Sequence, residues 1–82
     1  SGNSEILNEW LVLGIRHEYR ATDKRLEEFL TSVGRRKYLR PLYQELVKTE
    51  AGKTKAMVIY KKARPLYQAI ARKSIDEIVG WK

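Results

Sequence analysis

Apolar residues recur along this chain at offsets of three and four, the spacing that gathers them on one face of a helix. Ile6, Trp10, Leu13 and His17 fall on a first stripe, with Leu7, Leu11 and Gly14 beside it. The first helix is therefore expected to carry a wide buried face, capped by Asn3 or Ser4. Residues 18–21 read as a short connection. Leu26, Phe29, Leu30 and Val33 make a second stripe, capped by Thr22 or Asp23 and ended by Gly34, with Lys24, Arg25, Glu27 and Glu28 on its solvated side. Leu39, Leu42, Tyr43 and Leu46, widened by Val47, predict a third helix that stops near Lys48 or Thr49. The stretch 49–53, which contains Gly52, reads as a turn. Ala56, Ile59, Tyr60 and Ala63 predict a fourth helix, stopped by Pro65 because the residue before a proline is pushed out of the helical region. The stretch 66–73 is expected to be irregular and packed back through Tyr67 and Ile70. Ser74-Ile75-Asp76-Glu77 has the spacing of a capping box, so a short last helix should run through Val79 and end at Gly80.

No strand alternation and no Asn-Gly hairpin signal interrupts this pattern. The fold class is all-α. Short connections imply antiparallel helical hairpins. The stripe recurs without a fixed repeat length, which suits a fragment of an α-solenoid better than a complete one. The chain of 82 residues is enough for one small domain, which buries only roughly 60% of its unfolded surface.

Charge narrows the partners without choosing one. The chain holds 17 basic and 10 acidic side chains, a net charge of +7. That bias permits nucleic acid, an anionic membrane or an acidic partner domain. No apolar run approaches the ~20 residues that span a bilayer, so no membrane partner is expected. No signal peptide is recognised, and a cytoplasmic location is the expectation. The absence of cysteine excludes disulfides and thiolate metal sites. His17-Glu18 begins like the HExxH zinc signature, but position 21 is Ala. With one histidine and no cysteine, no metal site and no cofactor is expected in this chain. His17 reads as a helix-end histidine. No catalytic residue is identified, so this chain alone is not expected to be an enzyme.

The basic junction 33–42, Val-Gly-Arg-Arg-Lys-Tyr-Leu-Arg-Pro-Leu, holds four of the 17 cations. Gly34 is placed to end one helix, and Pro41 to sit early in the next. Arg35, Arg36 and Lys37 then occupy a tight junction at the amino end of a helix, where free N–H groups favour an anion such as a carboxylate or phosphate. In an extended junction Arg35 and Lys37 project to one side; in a helix they diverge by about 200°. Two readings stand: a solvated basic turn and an anion site. The clusters Lys61-Lys62 with Arg64, and Arg72-Lys73, read as solvated surface.

Three stretches carry a resemblance: Asn3 to Glu5 with Ile6 and Trp10, then VGRRKYLRPLYQEL from Val33 to Leu46, then IYKKARPLY from Ile59 to Tyr67. Together they resemble the C-terminal domain of the leukotriene A4 hydrolase/aminopeptidase family, zinc metallopeptidases of the gluzincin type. The resemblance runs from about Asn3 to Val79. It implies a single C-terminal helical domain over residues 1–82, a fragment of an armadillo-like α-α superhelix that packs on a catalytic domain of the same chain and helps close its cleft. It implies that zinc and the catalytic glutamate belong to that missing domain. It further implies that Arg35 binds the carboxylate of a peptide substrate and that Lys37 supports it, with no role for Arg36. Family members often carry a histidine-proline pair after the Arg-Pro motif, where this chain has Gln68-Ala69. The alternative reading is a small basic helical nucleic-acid-binding module, supported by the net charge; under the family reading no nucleic acid is expected.

Overall fold

Five α-helices follow one another in the computed structural model, which describes residues 2–17, 20–32 and 36–81; no strand occurs among them. They are α1 (Gly2–Arg16), α2 (Asp23–Ser32), α3 (Arg36–Leu46), α4 (Glu50–Ala63) and α5 (Ala69–Val79), with single 3-10 turns at Arg20–Thr22 and Arg64–Leu66. The chain is all-α, as the periodicity predicts. The helix end expected at Gly34, with Val33 and Arg35, lies outside the described residues.

Elements two apart make the principal packing. α3 lies against both α1 and α5, and α2 lies against α4, while α3 and α4 also meet across a short turn. The hairpin expectation therefore holds best for α3 and α4; elsewhere the helices form two layers, α1–α3–α5 and α2–α4. The shortest dimension, 17 Å, fits two layers whose axes lie ~10 Å apart. The stripes predicted for the middle helices make the core: Leu26, Phe29 and Leu30, then Leu39, Leu42, Tyr43 and Leu46, then Ala56, Ile59, Tyr60 and Ala63. Polar contacts follow the same pairing. Asn8 donates to the Tyr38 carbonyl at 2.8 Å and Arg16 to Glu45 at 3.0 Å, joining α1 to α3. Lys55 meets Asp23 at 2.5 Å and Lys62 meets Glu27 at 2.7 Å, joining α4 to α2. Exposed pairs of this kind fix geometry more than they add stability.

α1 departs from the predicted orientation. Ile6 is 68% exposed and Trp10 and Leu13 are each 49% exposed, whereas Leu11 and Gly14 are buried. The helix is apolar around most of its girth, so periodicity alone could not choose its inner face. Tertiary contacts choose it: α1 packs on α3, and Gly14 faces the Thr22 side chain so closely that a Cβ there would lie 2.6 Å from the Thr22 methyl. The helix also begins at Gly2, which makes Asn3 and Ser4 helical residues rather than caps.

Two further corrections concern helix starts. Thr49 caps α4, accepting from the Gly52 N–H at 3.0 Å, so Gly52 belongs to the first turn of a helix and not to a loop. α5 begins at Ala69, and Ser74 sits in its middle instead of capping it. Ala71, Ile75 and Val79 repeat every four residues and bury on the core, and that burial outweighs the local capping signal. Only Tyr67 and Gln68 are extended between the 3-10 turn and α5. Tyr67 is buried as expected; Ile70 is 67% exposed. Gly80 ends α5 in the left-handed conformation with φ 71°, a position that glycine occupies without Cβ strain.

Candidate functional site

The basic junction resolves into a helix start. α3 begins at Arg36 and Pro41 falls five residues inside it. Lys37 is thus helical, not extended, and Pro41 is past the first turn where a missing N–H would be harmless. Pro41 is exposed, so the hydrogen bond it cannot make falls on the solvent side of the helix, where the loss costs least. The buried stripe from Tyr38 to Leu46 explains why the helix runs through the proline: starting after it would forfeit Tyr38 and Leu39 from the core.

Lys37 is exposed, with its Nζ 5.6 Å from the centroid of the Tyr38 ring. Arg35 lies outside the described residues. Arg36, Lys37, Arg40, Pro41 and Gln44 line an open groove of about 450 Å³ along the outer face of α3. Arg36, Arg40 and Gln44 are spaced four apart and share a helical face. Three cations line that groove and no carboxylate does. The amino end of α3 adds partial positive charge to the same face. The arrangement attracts anions, and its planar guanidinium groups suit a carboxylate or phosphate. Sequence reasoning gave Arg36 no role and did not single out Arg40 or Gln44. Their four-residue spacing was present, but it gains meaning only once the helix is known to start at Arg36.

The second basic stretch, IYKKARPLY, does structural work instead. Arg64 grips Asp76 with two hydrogen bonds, 3.0 and 3.1 Å, and lies 5.4 Å from the Trp81 ring centroid. The Tyr60 hydroxyl donates to the same Asp76 carboxylate. Tyr67 donates to the Leu30 carbonyl at 2.5 Å, which leaves Tyr43 to donate to Tyr67 at 3.1 Å. These groups lock the 3-10 turn and α5 onto the core. His17 is exposed at the end of α1, where its N–H meets the Leu13 carbonyl at 3.0 Å. Among the described residues no group of three His, Asp or Glu side chains is placed to hold a metal ion.

The lock makes stability depend on pH. Hydrogen bonds from Arg64, then from Tyr60, hold the Asp76 carboxyl below its usual range. Lys48 and then Arg16 do the same for Glu45. A carboxyl with a depressed folded-state pKa stabilises the fold above its unfolded value near 4 and ceases to as pH falls through the folded value. Burial pushes Tyr67 up to about 12 and raises Tyr43 and Tyr60 as well. Their contribution is complete below pH ~10 and is lost as pH climbs past it. Thermal melts should therefore decline below pH ~4 and above pH ~10. Asp76→Asn should flatten the acid limb; an unchanged acid slope would show that the Asp76 lock does not couple to folding.

Comparison with known proteins follows the same residues. Residues 1–79 match the family model described as leukotriene A4 hydrolase, C-terminal. Leucine aminopeptidase 2 of Ajellomyces capsulatus (strain NAm1 / WU24) is 33% identical over 72 residues, which cover 88% of this chain and 11% of that protein. The chain thus spans about a ninth of that relative's length. No solved structure matches the chain significantly.

Proposed function

The chain belongs to the family of leukotriene A4 hydrolase C-terminal domains, and on that premise we propose that it is the non-catalytic helical domain of a longer cytoplasmic zinc aminopeptidase. In that protein it packs on the catalytic domain, helps close the substrate cleft, and binds the carboxylate of a peptide substrate through Arg35, with Lys37 as a secondary charge. Zinc and the hydrolytic step belong to the catalytic domain, since this chain has one histidine and no cysteine. The observation that carries the anion role is the groove on α3, whose charged lining residues, Arg36, Lys37 and Arg40, are all cations. Lys37 is among those lining residues, so an anion steered toward the groove meets it there. A nucleic-acid module is less favoured: Arg16, Lys48, Lys55, Lys62 and Arg64 are engaged by Glu45, Asp23, Glu27 and Asp76, which breaks up the continuous basic surface that duplex binding requires.

The test uses the full-length protein, a tripeptide and the same tripeptide as its C-terminal amide. Arg35→Ala should lower kcat/KM for the free acid more than tenfold, the loss that ~1.4 kcal/mol of transition-state binding produces. Lys37→Ala should lower it less, and neither change should affect the amide. A lysine cannot restore the guanidinium fork, so Arg35→Lys should recover little. Equal losses on acid and amide would assign Arg35 to structure and remove the carboxylate role.

A further inference from the structure

We infer that the groove on α3 selects peptides whose C-terminal residue is itself acidic, with Arg40, helped by Arg36, as the specificity-determining residue for the side-chain carboxylate. This deepens the proposed carboxylate role and rests on it. The charge arrangement supplies the first argument. α3 has no acidic residue in its first turn and opens instead on Arg36 and Lys37. The partial positive charge at a helix amino end disfavours cations there. Like charges four residues apart, as Arg36 and Arg40 are, also repel. Neither arginine takes part in an ion pair among the described residues, and both are exposed. Both costs are relieved when anions enter the groove. A helix start that breaks two local rules with no gain in the fold marks a place built for a ligand.

Geometry supplies the second argument. At ~100° per residue, Arg40 lies ~40° around the helix from Arg36 and ~60° from Lys37, between the two. It stands ~6 Å along the axis from Arg36. One carboxylate does not balance three cations held this close. A terminal glutamate brings two, its own α-carboxylate and its side chain, roughly 4–5 Å apart across four carbon–carbon bonds. With the α-carboxylate on the Lys37 side, the side-chain carboxylate reaches Arg40, whose planar fork takes both of its oxygens. Gln44, one turn farther on the same face, offers an amide donor at the end of the groove. The volume of about 450 Å³ falls within the ~300–1,000 Å³ of sites that hold a small ligand.

The experiment compares Ala-Ala-Glu with Ala-Ala-Gln as substrates of the full-length protein. The two differ by one charge at nearly constant shape. The ratio of their kcat/KM values should favour the glutamate peptide about tenfold, the order of one charge-assisted hydrogen bond. Arg40→Gln should bring that ratio close to one, and Arg36→Gln should lower it less. Both peptides are measured on the same preparation, so any loss of folded protein cancels from the ratio. Lys61→Gln, which removes an exposed cation of α4 outside the groove, should leave the ratio unchanged. An equal fall with Lys61→Gln would assign the preference to net charge and overturn the inference. So would a ratio near one in the wild type, or an equal preference for Ala-Glu-Ala over Ala-Gln-Ala. The two readings fail separately. A wild-type ratio near one, with Arg35→Ala still discriminating acid from amide, removes only the acidic preference. An intact ratio that Arg40→Gln abolishes, with no acid–amide difference in the Arg35 test, removes the Arg35 anchor and still supports Arg40. Cleavage of neither peptide overturns both.

Discussion

Phe29→Ala is expected to cost about 3–5 kcal/mol of folding stability, a large share of the ~4–12 kcal/mol typical of a chain this long. Phe29 is 6% exposed and belongs to the core with Leu26 and Leu30. Its ring meets Tyr38 edge-on with centroids 6.5 Å apart, so truncation removes an aromatic pair as well as buried area. Because Phe29 is on α2 and Tyr38 on α3, the cavity opens between the two layers, where neighbouring side chains cannot collapse without shifting a helix. Trp10→Ala in the same 82-residue chain should cost less than about 1 kcal/mol, since half of that indole already faces solvent. The contrast is the informative measurement. Urea unfolding followed by far-UV circular dichroism gives both values, and comparable losses at the two sites would mean that the inner face of α1 is the Trp10 face after all.

The middle of the chain was the legible part because its stripes are one-sided. α2, α3 and α4 each set apolar residues against charged ones, and the main stripe of each is buried wherever it lies among the described residues. α1 offered two apolar faces, and contacts distant in sequence decide between them, the packing on α3 and the close approach of Gly14 to Thr22 among them; such contacts leave no periodic trace. α5 was misjudged for two reasons. Pro65 legitimately ends α4, but its influence was carried too far along the chain. The Ser74–Glu77 spacing, which resembles a capping box, is also an ordinary pair of positions one turn apart on a helix. Tertiary burial of Ala71 and Ile75 on the core sets the true start.

The candidate site was legible in its charge and less so in its geometry. The junction reads as basic, with a solvated turn and an anion site both open; a two-cation clamp favours an extended Lys37, yet Lys37 is helical and the groove is lined by Arg36 and Arg40 along the same helix. The error traces to Pro41, read as an early-turn residue when it is an interior one on the exposed side. Sequence reasoning takes Pro65 as a helix stop and Arg64 as solvated surface; the structure corrects the second, because Arg64 pins Asp76 beside Tyr60 and Trp81, and Asp76 and Trp81 lie 12 and 17 positions farther along the chain. No local pattern encodes that.

Gly52→Ala is expected to reverse the usual sign of such a change. Within a helix, replacing glycine by alanine ordinarily stabilises by about 0.5–1 kcal/mol, because alanine loses less backbone entropy on folding. Gly52 sits in the first turn of α4, buried beneath the end of α3. A Cβ built there would lie 2.1 Å from the Leu46 carbonyl oxygen and 2.8 Å from Thr49 Oγ1. The first atom is backbone and cannot rotate away. Relief requires the Val47–Thr49 turn to open, which drags Leu46, 1% exposed, out of register with the core and strains the Thr49 cap on the Gly52 N–H. Overpacking of this kind costs about 1–3 kcal/mol, and loss of the cap adds about 1 kcal/mol, together exceeding the entropic gain. Gly80→Ala supplies the contrast. No atom lies within 4 Å of a Cβ at Gly80, so only the φ of 71° opposes it, at about 1–2 kcal/mol. Equilibrium urea unfolding of both variants separates crowding from backbone strain. A stabilised Gly52→Ala protein would show that the α3–α4 turn yields freely, and that the close packing of these two helices does not constrain the amino end of α4.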